Sequence, residues 1–348
     1  MAVPSKMIAA IGCAGFLIGT TVAAEADPVA DFYSRTPLTL IVSSAPGGGY
    51  DGYARVLARH IGQFIPGHPN VVVQNMPGGE GIIAANHLYN VAPKDGSVFA
   101  LLQNTLPLNQ LGKSSAVKFD MHKFNWIGSM STASSVCAFT DKAALSNGVE
   151  LLKNEVLVGA SAGSTSMVPK VLDSLVGTQF KIVQGYGSTN EVLLAMQRGE
   201  VNGLCGWGWD SAQIQARSQF EHNIFHVGLD VATEPDPDLH AKGVPFVMDL
   251  VPPGENKDVL SLILSTQEYN RPITMPPGTP KDRLDAVSTA FAKTLEDPAF
   301  LDDAKKANMV IRYLDPKDLV HTMSSVLDAK DGIKDRALKE LQDAGFGF

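Results

Sequence analysis

Short apolar, β-branched runs recur along the chain, and several end in a glycine-rich turn followed by residues spaced for a helix. Leu38 to Val42 is the first run, Pro46-Gly47-Gly48-Gly49 its turn, and Ala54, Leu57, Ala58 and Ile61 mark one face of the next helix. Val71 to Gln74 leads through Pro77-Gly78-Gly79-Glu80-Gly81 into a helix over Ile82 to Asn90, and Val98 to Leu102 completes a β-α-β-α-β series. Two apolar pieces, Trp126 to Gly128 and Val136 to Phe139, precede a second series. There Val156 to Val158 meets the turn Gly159 to Ser166, and Phe180 to Val183 meets Gly185 to Asn190. Gly199 to Cys205 then runs into Gly206-Trp207-Gly208-Trp209-Asp210-Ser211.

Strands alternating with helices predict an α/β fold of two lobes, each a mostly parallel sheet flanked by helices. The boundaries read as 37–133 for the first part of lobe one, 134–271 for lobe two, and 272–348 for a return to lobe one. Arg271 to Pro277 reads as a stiff extended connector. After it come helix starts at Thr279-Pro280-Lys281-Asp282, Asp297-Pro298 and Asp315-Pro316.

Each glycine turn delivers a strand into a helix start, so unpaired backbone N–H groups and the positive end of a helix dipole converge there. That is the geometry of an anion site. The device occurs four times, and none of these loops carries Lys or Arg. The donors are backbone amides and the side chains of Ser164, Thr165, Ser166, Ser188, Thr189 and Asn190. Gly47, Gly49 and Gly52 also match the G-x-G-x-x-G dinucleotide pattern. The acidic residue such a site needs at the end of the next strand is missing, since Val71-Val72-Val73 ends in Gln74-Asn75.

Address and charge narrow the classes. Lys6, the small-to-apolar run Met7 to Thr20, and cleavage sites after Ala24 or Ala26 have the layout of a secretory signal peptide over 1–26. The formal net charge of −8 argues against nucleic acid as a partner and requires any anionic ligand to be held locally. Beyond Cys13 in the leader there are two cysteines, Cys137 and Cys205, which fit no zinc spacing. In an oxidising compartment, a bridge between them and two buried thiols are both open. The histidines show no metal spacing, and no Cys/His pair has local support for catalysis. No metal, cofactor or catalysis is expected.

APGGGYDGYAR, VVVQNMPGGEGIIAANHLY, PKDGSVFALL, VGASAGSTS, LLAMQRGEVNGLCG and RPITMPPGTPKDRL stand in that order along the chain. Together they resemble the Bug, or TctC, family of extracytoplasmic solute receptors of tripartite tricarboxylate transporters. The resemblance implies two lobes closing on a ligand, and a periplasmic, monomeric receptor that delivers a small carboxylate to membrane transporter subunits. Carried onto this sequence, ligand contacts fall on Gly48, Gly49, Tyr50 and Asp51, on Gly79 and Gly81, and on Gly163, Ser164, Thr165 and Ser166. The fourth turn adds Gly187, Ser188 and Asn190 as candidate donors, and Trp209 as a surface for a flat ligand. Tyr50 stands where small residues are common in relatives. Asp51 reads either as a ligand contact or as the N-cap of the first helix. Two alternatives remain: an exported α/β enzyme holding a nucleotide at the G-x-G-x-x-G turn, and a same-fold sensor feeding a signalling kinase.

Overall fold

A computed structural model describes residues 1–2, 27–132, 134–140, 148–161 and 164–345. The expected leader over 3–26 and Gly163 lie outside the described residues. The strands are β1 (Leu38–Val42), β2 (Val71–Asn75), β3 (Val98–Leu101), β4 (Asn125–Ser129), β5 (Ser135–Thr140), β6 (Val156–Gly159), β7 (Phe180–Val183), β8 (Gly203–Gly208), β9 (Phe225–Val231) and β10 (Pro272–Met275). They form two five-stranded sheets, ordered β2-β1-β3-β10-β4 and β7-β6-β8-β5-β9.

The two sheets follow one plan. In the first, β1, β2 and β3 are parallel, and β10 is antiparallel to β3 and β4. In the second, β6, β7 and β8 are parallel, and β5 is antiparallel to β8 and β9. The chain leaves the first sheet from β4 into β5, and returns from the second into β10. Between the two sheets the chain therefore passes twice, after β4 and before β10. The segment Arg271 to Pro277, expected as a bare connector, supplies β10, a fully buried inner strand. Pro272 is tolerated there as the strand's first residue.

Leu38, Leu40, Val42, Phe99 and Leu101 fill the core of the first lobe, with Tyr53, Leu57 and Phe291 from its helices. Val158, Val168, Leu172 and Val231 fill that of the second. Gly206 (φ 73°) lets the helix Ser164–Leu175 approach its sheet closely, for a Cβ there would sit 2.3 Å from the Ser164 carbonyl oxygen. The last helix, Asp331–Asp343, differs from expectation. It packs on lobe two: Ala337, Leu341 and Ala344 join that lobe's core, and Lys170 Nζ donates to the Ala344 carbonyl at 2.5 Å. Its apolar stripe matched a free face there, a tertiary fact that helix periodicity does not reveal.

In the second sheet Cys137 and Cys205 lie on the neighbouring strands β5 and β8, with Cα atoms 3.9 Å apart, and are joined as a disulfide. The bridge fastens the crossing strand β5 to the parallel part of its sheet. No helix of the described residues is long and apolar enough to cross a membrane.

Candidate functional site

The first glycine loop is built around Asp51. Gly48, in extended conformation, is the N-cap of the helix Gly49–Ile61, so Asp51 is its third residue and not its cap. The Asp51 carboxylate is buried and accepts from the Gly47 amide (2.9 Å), Arg55 Nε (2.8 Å) and Asn75 Nδ2 (2.9 Å). Burial alone would raise its pKa, but these hydrogen bonds outweigh it and hold the carboxyl below its usual range. Asn75, at the end of β2, also donates to the Ser44 carbonyl at 3.0 Å. One amide side chain thus ties the first loop to the second strand. The N–H groups of Gly49, Tyr50 and Asp51 form the first turn, where a helix offers them no acceptor.

The second loop turns through four consecutive left-handed residues: Gly78 (φ 122°), Gly79 (52°), Glu80 (51°) and Gly81 (95°). Gly81 is needed for close approach as well as for φ, since a Cβ would meet Gln103 Cγ at 2.8 Å. Glu80 is exposed. In the third loop Thr165 is buried, and its hydroxyl accepts from the Ser161 amide at 3.0 Å. Ser166 Oγ accepts from Gln184 Nε2 at 3.3 Å. Ser164 opens the helix and is partly exposed. In the fourth loop Ser188 is the N-cap, taking the Glu191 amide, while the Glu191 carboxylate takes the Gly187 amide at 2.9 Å. Gly187 and Ser188 therefore serve their own helix. Asn190 is exposed.

The lobes meet below these loops. Gly49 abuts Ser211 of lobe two so closely that a Cβ would lie 2.8 Å from Ser211 Oγ. Beneath them Arg271, at the return crossing, is wholly buried. Its Nη2 donates to Asp210 Oδ2 at 2.9 Å, and its Nη1 to the Asn270 carbonyl at 3.0 Å. The guanidinium lies over the rings of Tyr50 (4.2 Å) and Tyr53 (4.9 Å), contacts with cation–π character. Burial would favour loss of its proton, but the Asp210 charge outweighs this and the pKa is raised. Tyr50 is anchored in turn: its hydroxyl donates to Asn104 Oδ1 at 3.2 Å and accepts the Asn104 amide at 3.3 Å. Tyr50 is thus part of the floor, while residues 45–48, 77–80, 185, 187 and 188 stay exposed as its rim.

Sequence reasoning sought cations inside the loops and passed over the one at the crossing. Arg271, Asp210, Ser211 and Asn104 are the residues it missed. The available signal was a lone arginine before a proline at the point where the chain changes lobes. Trp209, proposed as a ligand surface, is buried; its ring meets Phe220 edge-on at 5.5 Å. Among the described residues, no group of three or more His, Cys, Asp or Glu is placed to hold a metal ion.

No family model matches the chain. Over 104 residues it is 36% identical to Protein BugT of Bordetella pertussis. Over that stretch the chain is similar to a Bug protein. A second relative, the UPF0065 protein in the gbd 5' region of Cupriavidus necator, is 32% identical over 98 residues. The matched stretches span only 30% and 28% of these curated relatives. As a whole fold, this chain resembles a TctC solute binding protein from Polaromonas, with a TM-score of 0.61 at 16% identity over 89% of this chain and 99% of that one. It resembles MatC from Rhodopseudomonas palustris, determined with bound malate, with a TM-score of 0.62 at 15% identity over 88% of this chain and 99% of that one. The likeness to these two structures is one of fold: two α/β lobes of periplasmic-binding-protein type.

Proposed function

We propose that this chain is a periplasmic receptor that captures a small carboxylate between its lobes and delivers it to membrane transporter subunits, acting as a monomer without catalysis or a cofactor. The observation that carries this reading is the first loop. Asp51, Arg55 and Asn75 fix it so that the first-turn amides of the helix Gly49–Ile61 lie at the lobe boundary beside Ser211. Hydrogen bonds from such amides to a charged group each contribute about 1.5–3 kcal/mol, and three or four supply much of the ~8 kcal/mol of micromolar binding. The malate bound by MatC, a protein of like fold, supports the same ligand class.

The nucleotide reading loses support at the same loop. A pyrophosphate would need the Gly47 amide, which donates to Asp51, and the ribose would need an acid where Asn75 stands. A thermal-shift screen of di- and tricarboxylates, aromatic acids, amino acids, sugars and NAD tests the proposal. Stabilisation by one or more carboxylates is expected. Stabilisation by a sugar or NAD with silence across the carboxylates would overturn it.

A further inference from the structure

Beside the floor of the cleft lies a groove of about 500 Å³ whose walls come from both lobes. Trp209 and Phe220 line it from lobe two, and Met309 and Ile311 from the segment that closes over the helix Gly49–Ile61. Its size is that of a small-molecule pocket. Three cations line it, Arg217, Lys242 and Lys305, against one carboxylate, Glu221. Glu221 is matched by Arg217, with Nε and Oε1 2.8 Å apart. Lys242 and Lys305 have no ion-pair partner among the described residues, so the groove is locally positive on a chain of net charge −8. Lys242 Nζ sits 5.9 Å from the centre of the Trp209 ring. The Trp209 Nε1–H is buried and has no hydrogen-bond partner among the described residues, an arrangement that costs free energy unless an acceptor arrives.

We propose that this groove is a second ligand site, separate from the glycine loops, that takes an organic anion with a flat apolar body. The apolar walls cover the body; Lys242 and Lys305 hold the anionic group; the buried indole N–H offers it a donor. Because the walls belong to different lobes, an occupant bridges them. The site is independent of the carboxylate reading of the cleft.

The test uses benzoate as the probe, benzamide as its uncharged counterpart, and tryptophan fluorescence as the readout, on the whole protein. Benzoate is expected to change the fluorescence saturably, benzamide at least tenfold more weakly, and Trp209→Phe to remove most of the signal. The double variant Lys242→Glu/Lys305→Glu alters two exposed side chains and is expected to bind benzoate at least tenfold more weakly, with its melting temperature unchanged. Gly48→Ala, which alters only the first loop, is expected to bind benzoate like the parent. Three results would each overturn the groove: no benzoate response at millimolar concentration, equal binding by the charge-reversed variant, or loss of benzoate in Gly48→Ala alone. Dicarboxylate titrations of the same proteins read the cleft separately, so failure there leaves the groove result interpretable.

Discussion

Arg271 Nη2 lies 2.9 Å from Asp210 Oδ2, with both side chains at least 97% buried, at the point where the chain returns from lobe two to lobe one. Each member has further contacts, although Arg271 Nε is buried without a hydrogen-bond partner among the described residues. Asp210 also accepts from the Ser211 amide (2.7 Å), and Arg271 is covered by two tyrosine rings from the helix that carries the first glycine loop. The same guanidinium therefore touches the lobe crossing, the loop helix and lobe two. It fixes the floor on which the loop amides stand.

Removing one partner of a buried ion pair leaves the other charge uncompensated, at a cost of about 3–5 kcal/mol. Asp210→Ala and Arg271→Met are each expected to lose stability of that order in urea denaturation. The double variant Asp210→Leu/Arg271→Met is expected to recover much of the loss, because apolar replacement of a whole buried pair is often close to neutral. A double variant as weak as the sum of the single ones would mean that the two side chains act independently.

The disulfide closes 68 residues of chain between β5 and β8. In the chain-entropy model a loop of that length contributes about 4 kcal/mol. Reduction, or Cys137→Ala/Cys205→Ala, is expected to lower the denaturation midpoint accordingly. A maleimide added to denatured, unreduced protein exported to an oxidising compartment is expected to label neither residue; labelling of both would contradict the bridge.

Two buried carboxylates act in opposite senses on pH. Burial pushes Asp230 up to about 6, helped by the Asp236 carboxylate nearby. Its folded pKa lies above its unfolded value, so the folded state binds the extra proton, and stability rises as pH falls from 8 through 6 toward 4. Asp51 is held low and ionised in both states above about pH 5, and its contribution is lost as pH falls from there through its folded pKa. Melting temperature measured from pH 8 to 5 is expected to show an upward component that Asp230→Asn removes. An unchanged pH profile in that variant would contradict this assignment.

Much of the fold was legible because its signals are local. β1 and the helix Ile82–Asn90 stand where apolar runs and glycine turns place them, and a proline after an aspartate does begin the helices at Pro298 and Pro316. The parts that were not legible depend on partners distant in sequence. Asp51 is oriented by Asn75, 24 residues on, and Arg271 by Asp210, 61 residues back. The lone arginine before Pro272 marks the lobe change, but its local sequence does not reveal the distant Asp210 that pairs with it. Likewise, Trp209 sits in a turn that reads as cleft surface, while Phe220 and Lys242 from later elements cover its ring.

Gly48 offers the cleanest access to the loop itself. Its φ of −82° suits any residue, and a Cβ there would find its nearest neighbour, the Ala45 carbonyl oxygen, at 3.8 Å. Gly48→Ala should therefore fold with stability within about 1 kcal/mol of the parent, as exposed changes without strain do. Gly206→Ala is its counterpart: a Cβ 2.3 Å from a backbone oxygen at φ 73° should cost several times more, read as a fall in melting temperature.

The central claim is that the first-turn amides of the helix Gly49–Ile61 capture a carboxylate. Isothermal titration of the parent and of Gly48→Ala with the carboxylate that stabilises the parent most tests it directly. The expected result is saturable one-to-one binding by the parent and at least tenfold weaker binding by Gly48→Ala, at equal melting temperatures without ligand. Equal affinity in the two proteins, or no carboxylate bound by the parent at millimolar concentration, would contradict it.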